Sequence, residues 1–243
     1  MTNLTESWLW IGFIGMAVGS AIFGFKAVTI RRREGMEFSL VSCFITLWAA
    51  IIYLTMILGE TVLTNFNGQS EIFIGRYIDW IVTTPLLLLD LGVLAAARPN
   101  LIGGVIGADL IMIITGGIAA LEKAPNKYLW YIISCGAFLA VLIALLTEFS
   151  ATARQRDIKV SKLFHKLRNV LVGLWFIYPI VWILGPEGVG TISVGVETIA
   201  YTILDLSAKV GFGLILTSAS QNVLAQASNH SEIGAVDRAY IEE

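Results

Sequence analysis

Charge is what this chain of 243 residues has least of: 14% of them are Asp, Glu, Lys or Arg, against 56% hydrophobic. A soluble helix shows polar residues at every turn, and the long apolar runs here do not, which excludes a soluble fold. No basic patch of the kind that binds nucleic acid is present, and a net charge of −2 points to no acidic or basic partner. Histidine occurs twice, toward the ends of charged stretches. There is no cluster with metal-ligand spacing, no nucleophile–base pair and no phosphate loop, so neither a metal site nor an enzyme is expected. Two cysteines, Cys43 and Cys135, lie inside apolar segments and read as free thiols acting as small hydrophobes, not as a disulfide. The opening MTNLTESWLW has neither the positive stretch nor the small-residue site of a cleaved leader, so the first apolar run is expected to stay as a helix. Internal repeats, low-complexity tracts and a second domain are likewise missing.

What the chain does have is apolar runs of about 20 residues, the length a helix needs to cross roughly 30 Å of hydrocarbon. Seven of them fall near 8–30, 38–62, 73–95, 101–121, 127–148, 164–184 and 192–217. Breaks come at 31–35, around Asn65 to Ser70, at Arg98-Pro99-Asn100, at Glu122 to Asn126, at the charged segment Arg154 to Lys166 and at Gly185-Pro186-Glu187-Gly188. The expected fold is an all-α membrane protein, a seven-transmembrane-helix bundle over residues 1–222 with a polar tail over 223–243. Basic residues set the orientation. Arg31, Arg32, Arg33, Arg98, Arg154, Arg156, Lys159, Lys162 and Lys166 share one side, and only Lys123 and Lys127 lie in the opposite loops. The N-terminus is therefore expected outside and the C-terminus in the cytoplasm, with Trp8, Trp10, Trp130 and Trp182 near the outer face.

Burying an ionisable side chain in a membrane costs several kcal/mol on most scales, so each one within a span is a functional hypothesis. Span three, GRYIDWIVTTPLLLLDLG, contains Arg76, Asp79, Thr83 and Asp90; span seven, ETIAYTILDLSAKVGFG, contains Glu197, Asp205 and Lys209; Asp109 is the extra one. Arg76, Asp79 and Thr83 step by three and four and share a helix face. Asp90 returns to that face three turns on, roughly 16 Å deeper. Asp205 and Lys209 stand at i and i+4, with Glu197 two turns further out. Lys209 can be a salt bridge that holds helices together, or a desolvated amine ready to condense with an aldehyde. A cation there needs counterions, which Asp79 and Asp205 can supply, with Arg76 balancing the extra negative charge. Taken alone, the tryptophans read as packing or interface residues, Tyr178-Pro179 as a kink, Glu187 and Glu197 as surface carboxylates, and Asp109 as a structural hydrogen bond.

The stretches RYIDWIVTTPLLLLD, YPIVWILGPEG and LDLSAKVGFG resemble the microbial rhodopsins, and most closely the bacteriorhodopsin-like outward proton pumps. The similarity runs from about span two to the end of span seven. It implies all-trans retinal bound to Lys209 as a protonated Schiff base, with Asp79 as proton acceptor, Asp205 as second counterion and Asp90 as cytoplasmic donor. It further implies that Arg76 moves between counterions and exit, that Thr83 is the hydroxyl beside the acceptor, and that Glu187 and Glu197 release the proton. Tyr53, Trp80, Thr84, Leu87, Met112, Trp175, Tyr178 and Trp182 match the walls of the retinal pocket, and Asp109 a buried, protonated partner of Thr84. Where haloarchaeal pumps carry a second tryptophan in span five, this chain has Tyr131, beside Trp130; the site stays bulky, which argues against a gap for an antenna carotenoid. The absence of haloarchaeal acidity points to a eubacterial, cyanobacterial member.

The resemblance thus implies a light-driven outward proton pump in the cell membrane, multi-pass, surrounded by lipid and forming a homo-oligomer, the trimer being common in the family. Asp90 lies in LLLLDLGVL, an apolar setting in which a carboxyl is most easily held neutral. A donor on one side and an acceptor on the other give the direction of transport. A sensory rhodopsin is the alternative, but sensors commonly lack a carboxyl at the place of Asp90. A chloride pump would replace Asp79, and a sodium pump both Asp79 and Thr83. A retinal-free transporter using the same charges would show no visible absorption.

Overall fold

Without water in a bilayer core, every backbone N–H and C=O has to be satisfied within the chain, which leaves the helix as the default for these apolar runs. The computed structural model describes residues 2–30, 33–64 and 71–219. The expectations placed on Arg31 and Arg32, on the Asn65 to Ser70 break and on the polar tail lie outside the described residues.

Among these residues seven helices are long and apolar enough to span a membrane: α1 (Asn3–Thr29), α2 (Gly35–Ile57), α3 (Gly75–Ala95), α4 (Pro99–Leu121), α5 (Asn126–Ala153), α6 (Ile158–Leu184) and α7 (Val194–Ala219). Each packs on its neighbour in sequence, α7 closes the ring against α1, and α3 reaches across to α6. Phe25, Val28, Ile132 and Ile143 are exposed on the outside, while Arg76, Asp79, Asp90, Asp109, Glu197 and Lys209 are buried within. That distribution inverts the soluble pattern and suits a lipid surround.

Helix ends follow local chemistry. The Thr2 hydroxyl accepts from the Thr5 N–H, Asp157 Oδ1 from the Lys159 N–H at 2.8 Å, and Ser193 Oγ from the Val196 N–H. The Asp157 cap starts α6 at Ile158, so the charged run expected as a long break is mostly helix. Helix α2 ends at Ile57, short of the expected 62, because Gly59 takes a left-handed φ of 78° and the Glu60 N–H returns to the Thr55 carbonyl. The chain then forms a hairpin absent from the sequence expectation, β1 (Val62–Thr64) paired antiparallel with β2 (Glu71–Phe73), with Val62 opposite Phe73.

Three interruptions shape the interior. Pro179 has no N–H for the Trp175 carbonyl, and α6 breaks at Phe176. Helix α5 takes a π-turn over Leu145–Phe149, where the Ser150 hydroxyl reaches the Leu145 carbonyl at 2.7 Å. Helix α7 takes another over Ser207–Gly211, with Lys209 at its centre. Cys43 and Cys135 are free thiols as expected, though half-buried.

The α1–α2 contact is set by a glycine: a Cβ at Gly12 would run into the Tyr53 ring. Gly12→Ala is expected to cost about 1–3 kcal/mol by overpacking. Loss of helical signal on heating checks this, and an unchanged midpoint would show that the ring yields freely.

Candidate functional site

Lys209, on the π-turn of α7, projects into the middle of the bundle with its side chain fully enclosed. Its Nζ lies 2.7 Å from Asp205 Oδ1, one turn back on the same helix, and 2.9 Å from Asp79 Oδ2 on α3. Both expected counterions are therefore in place. Their surroundings differ. Asp205 Oδ1 also accepts from the Trp80 indole N–H at 3.1 Å and the Tyr178 hydroxyl at 2.8 Å, and Oδ2 accepts from the Tyr53 hydroxyl at 3.1 Å. Asp79 receives no hydrogen bond from any described residue beyond its ion-pair contact with Lys209. Thr83, one turn along, donates to the Asp79 backbone carbonyl at 2.9 Å. Asp205 thus accepts from three side chains besides Lys209, whereas the closest polar side-chain contact of Asp79 is Lys209 itself.

Beside the lysine opens a cavity lined by Trp80, Thr84, Leu87, Met112, Tyr131, Trp175, Tyr178 and Trp182, as expected, together with Tyr77, Cys135, Phe138 and Tyr201. Tyr53 is not among its walls; it stands behind Asp205 and acts on the cavity through that carboxylate. Tyr131 stacks on Trp182 with ring centroids 4.6 Å apart, and its hydroxyl donates to the Pro179 carbonyl at 2.9 Å. Trp182, near the end of its span, is buried, with its indole N–H donating to the Tyr77 hydroxyl at 2.7 Å. The Thr84 hydroxyl has two acceptors within reach, the Trp80 carbonyl at 2.8 Å and Asp109 Oδ2 at 2.7 Å. Thr84 has one hydroxyl hydrogen for both, so a neutral Asp109 would supply the second. A long apolar aldehyde fits this arrangement: an aromatic sleeve with one amine at its end and two carboxylates to balance the cation that condensation leaves.

Toward the end of the bundle where α1 begins lies a second charged cluster. Arg76, expected to balance Asp79 and Asp205 and to move between them and the exit, has its guanidinium on the glutamates. It donates to Glu197 Oε2 at 2.7 Å and Thr198 Oγ1 at 2.9 Å, and lies 4.0 Å from Glu187 Oε1. Glu187 and Glu197 are buried, not surface groups. Glu197 fits because its neighbour is Gly185, where a Cβ would collide with the carboxylate. Lys127 on α5 ties down the loop carrying Glu187 by donating to the Glu187 and Gly188 carbonyls at 2.7 and 3.0 Å. At the far side of the lysine, Asp90 is buried among Leu87, Leu88, Leu91 and Leu94, and its Oδ2 has no hydrogen-bond partner among the described residues.

Sequence reasoning missed Tyr77, Lys127 and Tyr201. For Tyr201 a signal existed: Glu197, Tyr201, Asp205 and Lys209 repeat every four residues and make one stripe along α7.

Comparison with known proteins gives a consistent picture. The family described as bacteriorhodopsin-like protein matches residues 3–223. A bacteriorhodopsin of Haloterrigena sp. (strain arg-4) is 48% identical over 221 residues, covering 89% of this chain and 88% of the relative. The crystal structure of a cyanorhodopsin from the cyanobacterium Tolypothrix sp. NIES-4075 is 62% identical, with a TM-score of 0.89 and coverage of 94% of this chain and 99% of that one. That of a light-driven proton pump from Leptosphaeria maculans is 34% identical, with a TM-score of 0.87 and coverage of 92% and 96%.

Glu187 sits in the loop outside the spans. Burial first, then the charge of Glu197 and a hydrogen bond with it, push its carboxyl well above the ordinary value of 4.5, with Arg76 pulling the other way. The folded chain therefore holds this proton in a pH window, from 4.5 upward, where the unfolded chain has lost it. More protons bound when folded means that stability falls as pH rises through that window. Glu187→Gln, which cannot titrate, is expected to flatten this fall in thermal unfolding measured across the range. The same slope in both proteins would place the proton elsewhere.

Proposed function

The chain belongs to the bacteriorhodopsin-like family of microbial rhodopsins, integral multi-pass membrane proteins whose membership implies a retinal chromophore, and from that premise we propose that it is a light-driven outward proton pump with retinal on Lys209. The observation that carries the reading is the unequal pair around the Lys209 nitrogen. When bound, all-trans retinal supplies the absorption of light and an isomerisation that redirects the N–H at its Lys209 linkage.

The chain's own residues do the rest. A proton leaving the Lys209 nitrogen has two carboxylates within 3 Å. Asp205, already accepting from Tyr53, Trp80 and Tyr178, gains least from it, since a proton there would break charge-assisted bonds. Asp79, with fewer side-chain donors to lose, is the acceptor. Once neutral, its O–H can be received by the Thr83 oxygen, whose own hydrogen is committed to the backbone. Arg76, Glu187 and Glu197 lie beyond Asp79 and form the exit. Asp90, in its leucine setting, holds a proton that can refill the lysine nitrogen from the other side. The break of α6 at Phe176 and Pro179 gives the helix a place to bend when that side opens.

Orientation follows from the basic residues: the face bearing Arg98, Arg154 and Arg156 is cytoplasmic, which makes the Glu187 side the outer one and the transport outward. The reading makes this chain a transporter and not an enzyme, located in the cell membrane; a trimer follows from the resemblance. The carboxyl at Asp90 weighs against a sensory role.

Illumination of an unbuffered suspension of cells expressing the protein with all-trans retinal is expected to acidify the medium, and a protonophore to abolish the change. A coloured protein that leaves the pH unmoved would keep retinal and shift the reading to a sensor. For Asp90→Asn, flash spectroscopy is expected to show return of the proton to Lys209 slowed by roughly 10²-fold and made dependent on external pH. An unchanged rate would remove Asp90 from the donor role.

A further inference from the structure

A guanidinium buried in a membrane needs partners on its edge and on both faces. Along the edge, Arg76 donates to Glu197 and Thr198. Two rings lie against the guanidinium: the Arg76 Cζ is 4.8 Å from the Phe73 ring centroid and 4.7 Å from that of Tyr201. Both rings are buried, so the contact is desolvated, where a planar cation gains most from an aromatic face. The rings come from separate elements. Phe73 ends the β2 strand, and Tyr201 stands on α7 midway between Glu197 and Asp205. Tyr201 is braced edge-on by Trp80, with centroids 5.2 Å apart, and lies against Tyr178 at 5.7 Å, so its ring has little room to turn.

The position of Arg76 is a choice between two sites. Asp79 is three residues along the same face of α3, and the Asp79–Asp205–Lys209 group has two carboxylates for one cation. The Glu187–Glu197 group, with Glu187 holding its proton, likewise presents one unbalanced negative charge. Charge alone does not select between them; what the glutamate site adds is the contact of Phe73 and Tyr201 with the guanidinium.

We infer that Phe73 and Tyr201 form an aromatic clamp that parks Arg76 on the glutamate pair and thereby sets how promptly that pair gives up its proton. The inference rests on the proposed exit through Glu187 and Glu197. With Arg76 beside them, the glutamates share a cation that favours loss of a proton. With a ring removed, Arg76 is free to move toward Asp79 and Asp205, and the pair, left without its cation, holds its proton longer. Tyr201 and Phe73 are positioning residues that act through Arg76.

The test uses the full chain loaded with retinal, with proton release timed by a pH-sensitive dye after a laser flash. Tyr201→Leu and Phe73→Leu are expected to form pigment and delay release by roughly tenfold each. Tyr201→Phe, which keeps the ring, is expected to restore early release, and Tyr201→Leu is expected to add no delay in an Arg76→Gln background. Native timing in both leucine variants, a delay in Tyr201→Phe equal to that of Tyr201→Leu, or an additive delay in the Arg76→Gln background would each overturn the clamp. A second readout does not need pumping. Magnetic resonance of isotopically labelled arginine is expected to show a ring-current shift for Arg76 that shrinks in each leucine variant. If the native protein releases no proton but shows that shift, the pump reading falls and the parked arginine stands. Absence of the shift in the native protein overturns the clamp whatever the pump does.

Discussion

A single ammonium group held between two carboxylates in the middle of an apolar bundle is the constraint from which the rest of this structure follows. Charges at that depth persist only if they are paired and their remaining lone pairs and protons are answered. The Lys209 contacts of 2.7 and 2.9 Å to Asp205 and Asp79 do the pairing. Tyr53, Trp80 and Tyr178 answer Asp205, and for Tyr53 the neighbouring helix makes room: Gly12 on α1 leaves the space that the ring fills. Helix packing and site chemistry are one problem in this protein, because the side chains that fill the core are also the donors.

The same constraint explains why the interior is asymmetric. A fully satisfied pair of carboxylates would hold the lysine in a static salt bridge. Asp79 leans mainly on Lys209 while Asp205 has three further side-chain donors, which creates a difference between two chemically identical groups, and that difference is what a proton transfer with a direction requires. The irregular backbone lies beside it: a π-turn carries Lys209, and a proline break in α6 lies next to Tyr178 and Trp182. Helical regularity is given up where the site has to be built or has to move.

Away from the lysine, the polar groups fall into separate stations. Leu87 and Leu88 lie between Asp90 and the centre along α3, and Tyr201, packed on Trp80 and lying between Glu197 and Asp205 on α7, separates the centre from the Arg76–glutamate group. On the proposed function, such layers keep a proton from running the length of the bundle unprompted. The hairpin of β1 and β2 belongs to this scheme: its last residue, Phe73, covers one face of Arg76, so a feature that looks like a loop ornament completes a charged site.

The chain alone determined the number of spans and which of them contain ionisable residues, because a bilayer penalises every polar group and so makes each retained charge visible against an apolar background. Spacing on one helix was legible too: Arg76, Asp79 and Thr83, and again Asp205 and Lys209, share faces by the helical period and nothing else. Helix ends were less legible, since the Asp157 cap and the left-handed Gly59 act locally and leave hydropathy almost unchanged. What only the tertiary structure decided is which partner each group takes across helices. No periodicity in α3 says that Arg76 turns to Glu197 and not to Asp79, that Asp205 collects donors from α2, α3 and α6, or that Tyr53 stands behind a carboxylate and not in the cavity wall. Those choices depend on distances between elements far apart in sequence, and they are made when the whole bundle closes around its buried charges.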